Sequence, residues 1–166
     1  DALNEAFGII LSAFPELEEE MEVYVQLLVP VGFDTERHLS ASYQEAIGTL
    51  YLSLHPDPMT MAEALVHEFS HGKLNALFEV DPVLENAFSP LFTSPVRPDP
   101  RPLHGVLLAA HAFFPVARLY ERMIELQHPL TQSPRFGARF AQIHKLNHEA
   151  TETLRTHAKP TRVGAG

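Results

Sequence analysis

The chain has 166 residues, the length of one ordinary domain, with 45% apolar residues, 20% charged residues and no cysteine. No apolar run approaches the ~18 residues of a membrane-spanning helix, which argues against an integral membrane protein. Twelve Lys and Arg against 21 Asp and Glu leave a net charge of −9, a poor match to a phosphate backbone and an argument against nucleic acid as a partner. The lack of cysteine removes disulfides, thiolate zinc sites and iron–sulfur ligation, and leaves His, Asp and Glu as the strong metal ligands. With no signal-peptide pattern either, the sequence reads as cytoplasmic, and its opening at Asp1 without a Met as part of a longer chain.

Taken in order, Ala6, Phe7, Ile10 and Leu11 recur at helical spacing between Ala2 and Phe14, and Pro15 suits the first turn of a second helix. That helix carries Leu17, Met21, Tyr24 and Leu28 on one stripe, with Glu18, Glu19, Glu20 and Glu22 on a solvated face, and Pro30 and Gly32 end it. Between His38 and Leu54 the pattern changes to period two, clearest in Leu50, Leu52 and Leu54, which predicts two short antiparallel strands broken at Gly48. Thr60 and Glu63 form a capping box, so a third helix is expected from Met61 to about Phe78. Asp81 to Pro102 holds six of the 14 prolines, a stiffened loop rather than an element. An apolar helix follows from Leu103 to about Leu126. Ser133 and Pro134 then open a last helix with Phe136, Phe140, Ile143, Asn147, Ala150 and Leu154 at helical spacing. The expected class is α+β, mostly helical, with a small antiparallel sheet before a metal-binding helix and a zincin-like helix arrangement, all in one domain over residues 1–166.

The chemistry is concentrated at His67-Glu68-Phe69-Ser70-His71, an H-E-x-x-H inside the third helix. A separation of four residues puts both imidazoles on one face, a turn apart, so they can share an ion while Glu68 stands beside it. Met61, Leu65 and Phe69 provide a core-facing stripe for the same helix. Two imidazoles leave a metal short of ligands. His111 is the first candidate for the third, because Pro115 withholds the N–H that would bond the carbonyl of residue 111 and should kink the helix there; His104, seven residues earlier on nearly the same face, is the alternative. His144 and His148 repeat the same spacing in polar company, with Lys145, Glu149 and Glu152, and read as a solvent-exposed face. His38, His55, His128 and His157 fall in loops or at element ends, with no role assigned.

At Ala64 to Leu77, ALVHEFSHGKLNAL, and at Ser94 to Phe113, SPVRPDPRPLHGVLLAAHAF, the chain resembles the HExxH peptide-modification proteins found beside ribosomally made peptide natural products. The resemblance extends to the Pro-Glu-Leu helix, the Gly-Thr-Leu-Tyr-Leu-Ser strand and Ala158-Lys159-Pro160-Thr161. It implies an iron(II)- and 2-oxoglutarate-dependent peptide β-hydroxylase acting on a precursor peptide. His67 and His71 match the metal histidines, and Arg97 and Arg101 fall in the matching RPDPRP segment. Members often carry a histidine three residues before His111, where this chain has Leu108. The distal carboxylate of 2-oxoglutarate wants a bidentate guanidinium, which Arg101, held between prolines, could provide, with Arg97 in reserve. Two further readings stand beside this one. A zinc metallopeptidase would use Glu68 as general base and Glu121 as third ligand. A non-catalytic module would bind a leader peptide along its sheet edge.

Overall fold

Asp1 opens the first helix, α1 (Ala2–Ala13), its side chain accepting from the Leu3 amide at 2.9 Å. The computed structural model describes residues 1–92 and 99–165. A break at Phe14 turns the chain into α2 (Pro15–Tyr24), which buries Leu17 and Met21. On α1 the buried positions are Ala6, Ile9, Ile10 and Ala13, whereas Leu11, expected on the core stripe, is exposed.

The predicted second helix was too long by a turn. It stops at Tyr24, and the chain runs extended as β1 (Leu27–Phe33), with Leu28 on the strand. Val25, Val29 and Val31 favour a pleated backbone, and Pro30 is tolerated because β1 lies at a sheet edge beside a bulge at Pro30/Gly32. β2 (Ser40–Ala41) and β3 (Thr49–Leu54) complete a three-stranded sheet in the order β1-β3-β2. It is mixed rather than antiparallel: β1 pairs with β3 in parallel, and only β2 runs against it. A parallel partner from an earlier stretch leaves no hairpin turn to read, so period two in β3 could not reveal it. Gly48 takes a positive φ of 83°, and a Cβ there would lie 2.8 Å from the Tyr24 carbonyl oxygen, so that turn requires glycine.

β3 leads into α3 (Pro58–Val80), which packs against α1, β3 and α4 (Leu103–Glu125). Its cap differs from the expected box. Asp57 is the N-cap, accepting from the Met59 and Thr60 amides and, at 2.7 Å, from the Thr60 hydroxyl. Pro58 at the first helical position moves the start upstream, and Glu63 is free for another role. α4 is apolar enough by length and composition to cross a membrane, yet half of that stretch is buried, much of it against α3 and α5 (Pro134–His157). It continues through Pro115, and just before the proline the Asn147 amide of α5 donates to the Phe113 carbonyl at 3.1 Å. The molecule is thus mostly helical with a small sheet.

The proline-rich loop carries two short strands, β4 (Leu91–Phe92) and β5 (Arg101–Pro102), paired antiparallel. The segment after α5 ties its start down: Glu85 donates to the Lys159 carbonyl, Thr161 to that of Val83, and Asn86 exchanges hydrogen bonds with His157 and Lys159.

Candidate metal centre and its cavity

α3 presents His67 and His71 one turn apart, and their Nε2 atoms come within 3.0 Å of each other, the rings perpendicular. Phe113 of α4 packs on the His67 ring at 4.5 Å, and the His67 Nδ1 is buried without a partner. Burial in this apolar setting, aided by the neighbouring His71 and Arg139, pushes the His67 imidazole down from 6.5 to about 3. Burial lowers His71 as well, with Glu68 opposing and His111 reinforcing. Both rings are therefore neutral at physiological pH, the protonation state in which imidazole ligates metal. Two nitrogens each about 2.1 Å from one ion and 3.0 Å from each other subtend about 90° at it, the angle of adjacent ligands on an octahedral face. The pair fits a shared ion.

Glu68 does not face the histidine pair as a free carboxylate. It is 4% exposed, and its two oxygens accept from the Ser40 and Ser42 hydroxyls, each at 2.7 Å. A buried carboxylate needs such donors, and here they fasten β2 and the residue just after it to α3.

His111 lies across from α3 beside the Ser70 backbone and Lys73, with its Nδ1 buried and unpartnered. Burial lowers its pKa, and it is near enough to influence His71, but among the described residues no three His, Asp or Glu side chains converge as a complete metal site. His104 is placed elsewhere. Its ring lies between Phe78 and Phe88, with centroids 4.6 and 5.0 Å away, beside a second cavity under the proline-rich loop. His144 and His148 are exposed, as expected for a solvated face.

No family model and no curated protein matches the chain.

A cavity of about 830 Å³ opens beside His67. It is within the range that holds a small molecule or a peptide side chain. On one wall Glu63, one turn before His67, accepts from the Arg139 guanidinium through both oxygens and from the Tyr120 hydroxyl at 3.1 Å. Arg139 also lies over the Phe113 ring at 5.9 Å, so Phe113 separates a cation from the His67 imidazole. Arg135, His38 and His55 line other parts of the same cavity. Burial lowers the His38 imidazole, and its Nε2 is buried without a partner.

Arg101 is not among the residues lining this cavity. It sits on β5, its side chain running over Gly105 with Nε 3.7 Å from the Asp99 carboxylate. Arg97 lies outside the described residues. The sequence reading missed Ser40, Ser42, Arg135 and Arg139. Each contributes through a tertiary contact, and only the motif's own Glu68, which must find donors if buried, hinted that hydroxyls would be needed near it.

Proposed function

We propose that this chain is a metal-dependent peptide-modifying enzyme, and that it hydroxylates a side-chain β-carbon of a ribosomally made precursor peptide with iron(II) and 2-oxoglutarate. The observation that carries the reading is the His67–His71 pair: two neutral imidazoles, Nε2 atoms 3.0 Å apart, with His67 at the wall of a cavity of about 830 Å³. His67 and His71 would hold the metal, with His111 of the facing helix as third ligand; three protein ligands leave positions for a chelating keto acid and oxygen. When bound, iron with 2-oxoglutarate as two-electron donor would activate dioxygen, and so supply the oxidising power to functionalise an unactivated C–H bond, which no amino-acid side chain has.

The remaining work falls to the chain's own residues. Phe113 walls the site against water on one side. Glu68 holds α3 to β2 through Ser40 and to the residue after it through Ser42, so both its oxygens already serve position. This weighs against the zinc-peptidase reading, in which Glu68 must take a proton from water. For the carboxylate end of the co-substrate, the sequence-based choice is Arg101, but Arg135 and Arg139 are the guanidinium groups at the cavity, and Arg139 is already engaged by Glu63.

The test is anaerobic. Iron(II) is added to the metal-stripped protein and 2-oxoglutarate titrated in, with the visible spectrum followed for the charge-transfer band of a chelated keto acid. A saturable band is expected. Its absence, with zinc held tightly and peptide cleaved, would replace this reading with the hydrolase. Its absence with peptide bound but no metal retained would leave a binding module.

A further inference from the structure

We propose that the free edge of β1, with the small pocket where α2 meets it, docks an extended peptide segment carrying Lys or Arg among apolar residues. β1 is paired on one side only. Leu27 donates inward to the Gly48 carbonyl and Asp34 to that of Leu54, and no strand covers the other side among the described residues. Its register with β3 is regular from Leu27 to Pro30, so alternate peptide groups there face outward. Leu27, Val31 and Phe33 are all exposed along it. An edge of this kind is a template for an added strand, whose main chain supplies affinity while neighbouring pockets select side chains.

The pocket identifies the occupant. It holds about 220 Å³ and is lined by Phe7, Met21, Val25 and Leu27 with the carboxylates of Glu18 and Glu22. Those two glutamates stand four residues apart on one face of α2, and neither has an ion-pair partner among the described residues, whereas Glu16 pairs with Arg122 and Glu20 with Lys73. An apolar floor under two carboxylates suits a long aliphatic stem ending in a cation. The same charge argues against a second copy of this chain pairing edge to edge, since it would bring Glu18 and Glu22 of each protomer together in a protein of net charge −9.

The experiment uses the metal-free protein, so it stands or falls separately from the proposed reaction. A fluorescein-labelled decapeptide alternating valine and lysine is titrated with protein and read by anisotropy, beside the same peptide with glutamate for lysine. Saturable binding of the lysine peptide alone is expected, weakening as salt rises from about 0.05 to about 0.5 M. Glu18→Gln with Glu22→Gln should weaken it about fivefold. Val31→Lys, at an exposed position that does not disturb the core, should weaken it by a similar factor through repulsion. No binding, equal binding of the glutamate peptide, or unchanged affinity in both variants would overturn the proposal. So would sedimentation showing that β1 is covered by a second copy.

Discussion

Two helices of this protein carry histidines at the same spacing, and they end in opposite environments. On α3, His67 and His71 stand tip to tip and half-buried, with Phe113 against the His67 ring, and that burial disfavours their charged forms. On α5, His144 and His148 point outward, and the nearest carboxylate to His144, on Glu121, is 4.0 Å away. Spacing alone therefore does not set the environment of a histidine pair. Burial holds the α3 imidazoles neutral, and the 3.0 Å contact between their Nε2 atoms ties the two ring tips to each other.

The sharpest way to break this contrast is to remove one ring from each pair. His67→Ala or His71→Ala should weaken iron(II) or zinc binding by more than about 100-fold, beyond the loss expected for an outer-shell partner. His144→Ala should leave it unchanged. Calorimetric titration of the three variants decides it, and equal losses from both helices would mean that the spacing and not the environment binds the ion.

Much of this contrast was legible in the sequence. The H-E-x-x-H, its helix and the polar company of His144 and His148 can all be read from periodicity, because each depends on residues within a few turns of one another. The helices α4 and α5 were legible for the same reason. What escaped depends on contacts between distant parts of the chain. β1 looked like the tail of a helix because Leu17, Met21, Tyr24 and Leu28 keep helical spacing, and only its parallel pairing with β3 makes it a strand. Glu63 fitted a capping box as well as it fits Arg139, 76 residues away, and local rules cannot choose between them. Arg101 had the right chemistry for a carboxylate, but the fold laid it over Gly105, away from the cavity lining.

A second difference between the pairs should appear in acid. An ordinary imidazole titrates near 6.5, whereas His67 in the folded chain is held to about 3. Above 6.5 it is neutral in both folded and unfolded chains, and pH adds nothing. Between 6.5 and about 3 the unfolded chain binds a proton that the folded chain does not, so stability falls as pH falls, and the loss stops growing below about 3. Urea unfolding of the metal-free protein across this window should show the slope, and His67→Asn should reduce it. His148→Asn should leave it unchanged. A slope of the same size in His67→Asn would show that this imidazole is not held neutral by burial.

The last and smallest effect concerns the anchor that separates the two environments. Ser42→Ala removes one of the two donors to a carboxylate only 4% exposed, and should cost about 2 kcal/mol in urea unfolding. Because that bond fastens the segment just after β2 to the helix carrying the histidines, the same change should weaken metal binding about tenfold, as loss of an outer partner does. The corresponding loss beside α5 is smaller still: Glu121→Gln, at the α4 carboxylate nearest His144, should move stability by no more than about 0.5 kcal/mol and metal binding not at all. If Ser42→Ala lowers stability but leaves metal affinity untouched, Glu68 is a structural tie alone. If both move together, the hydroxyls of Ser40 and Ser42 help to set the geometry of the His67–His71 pair.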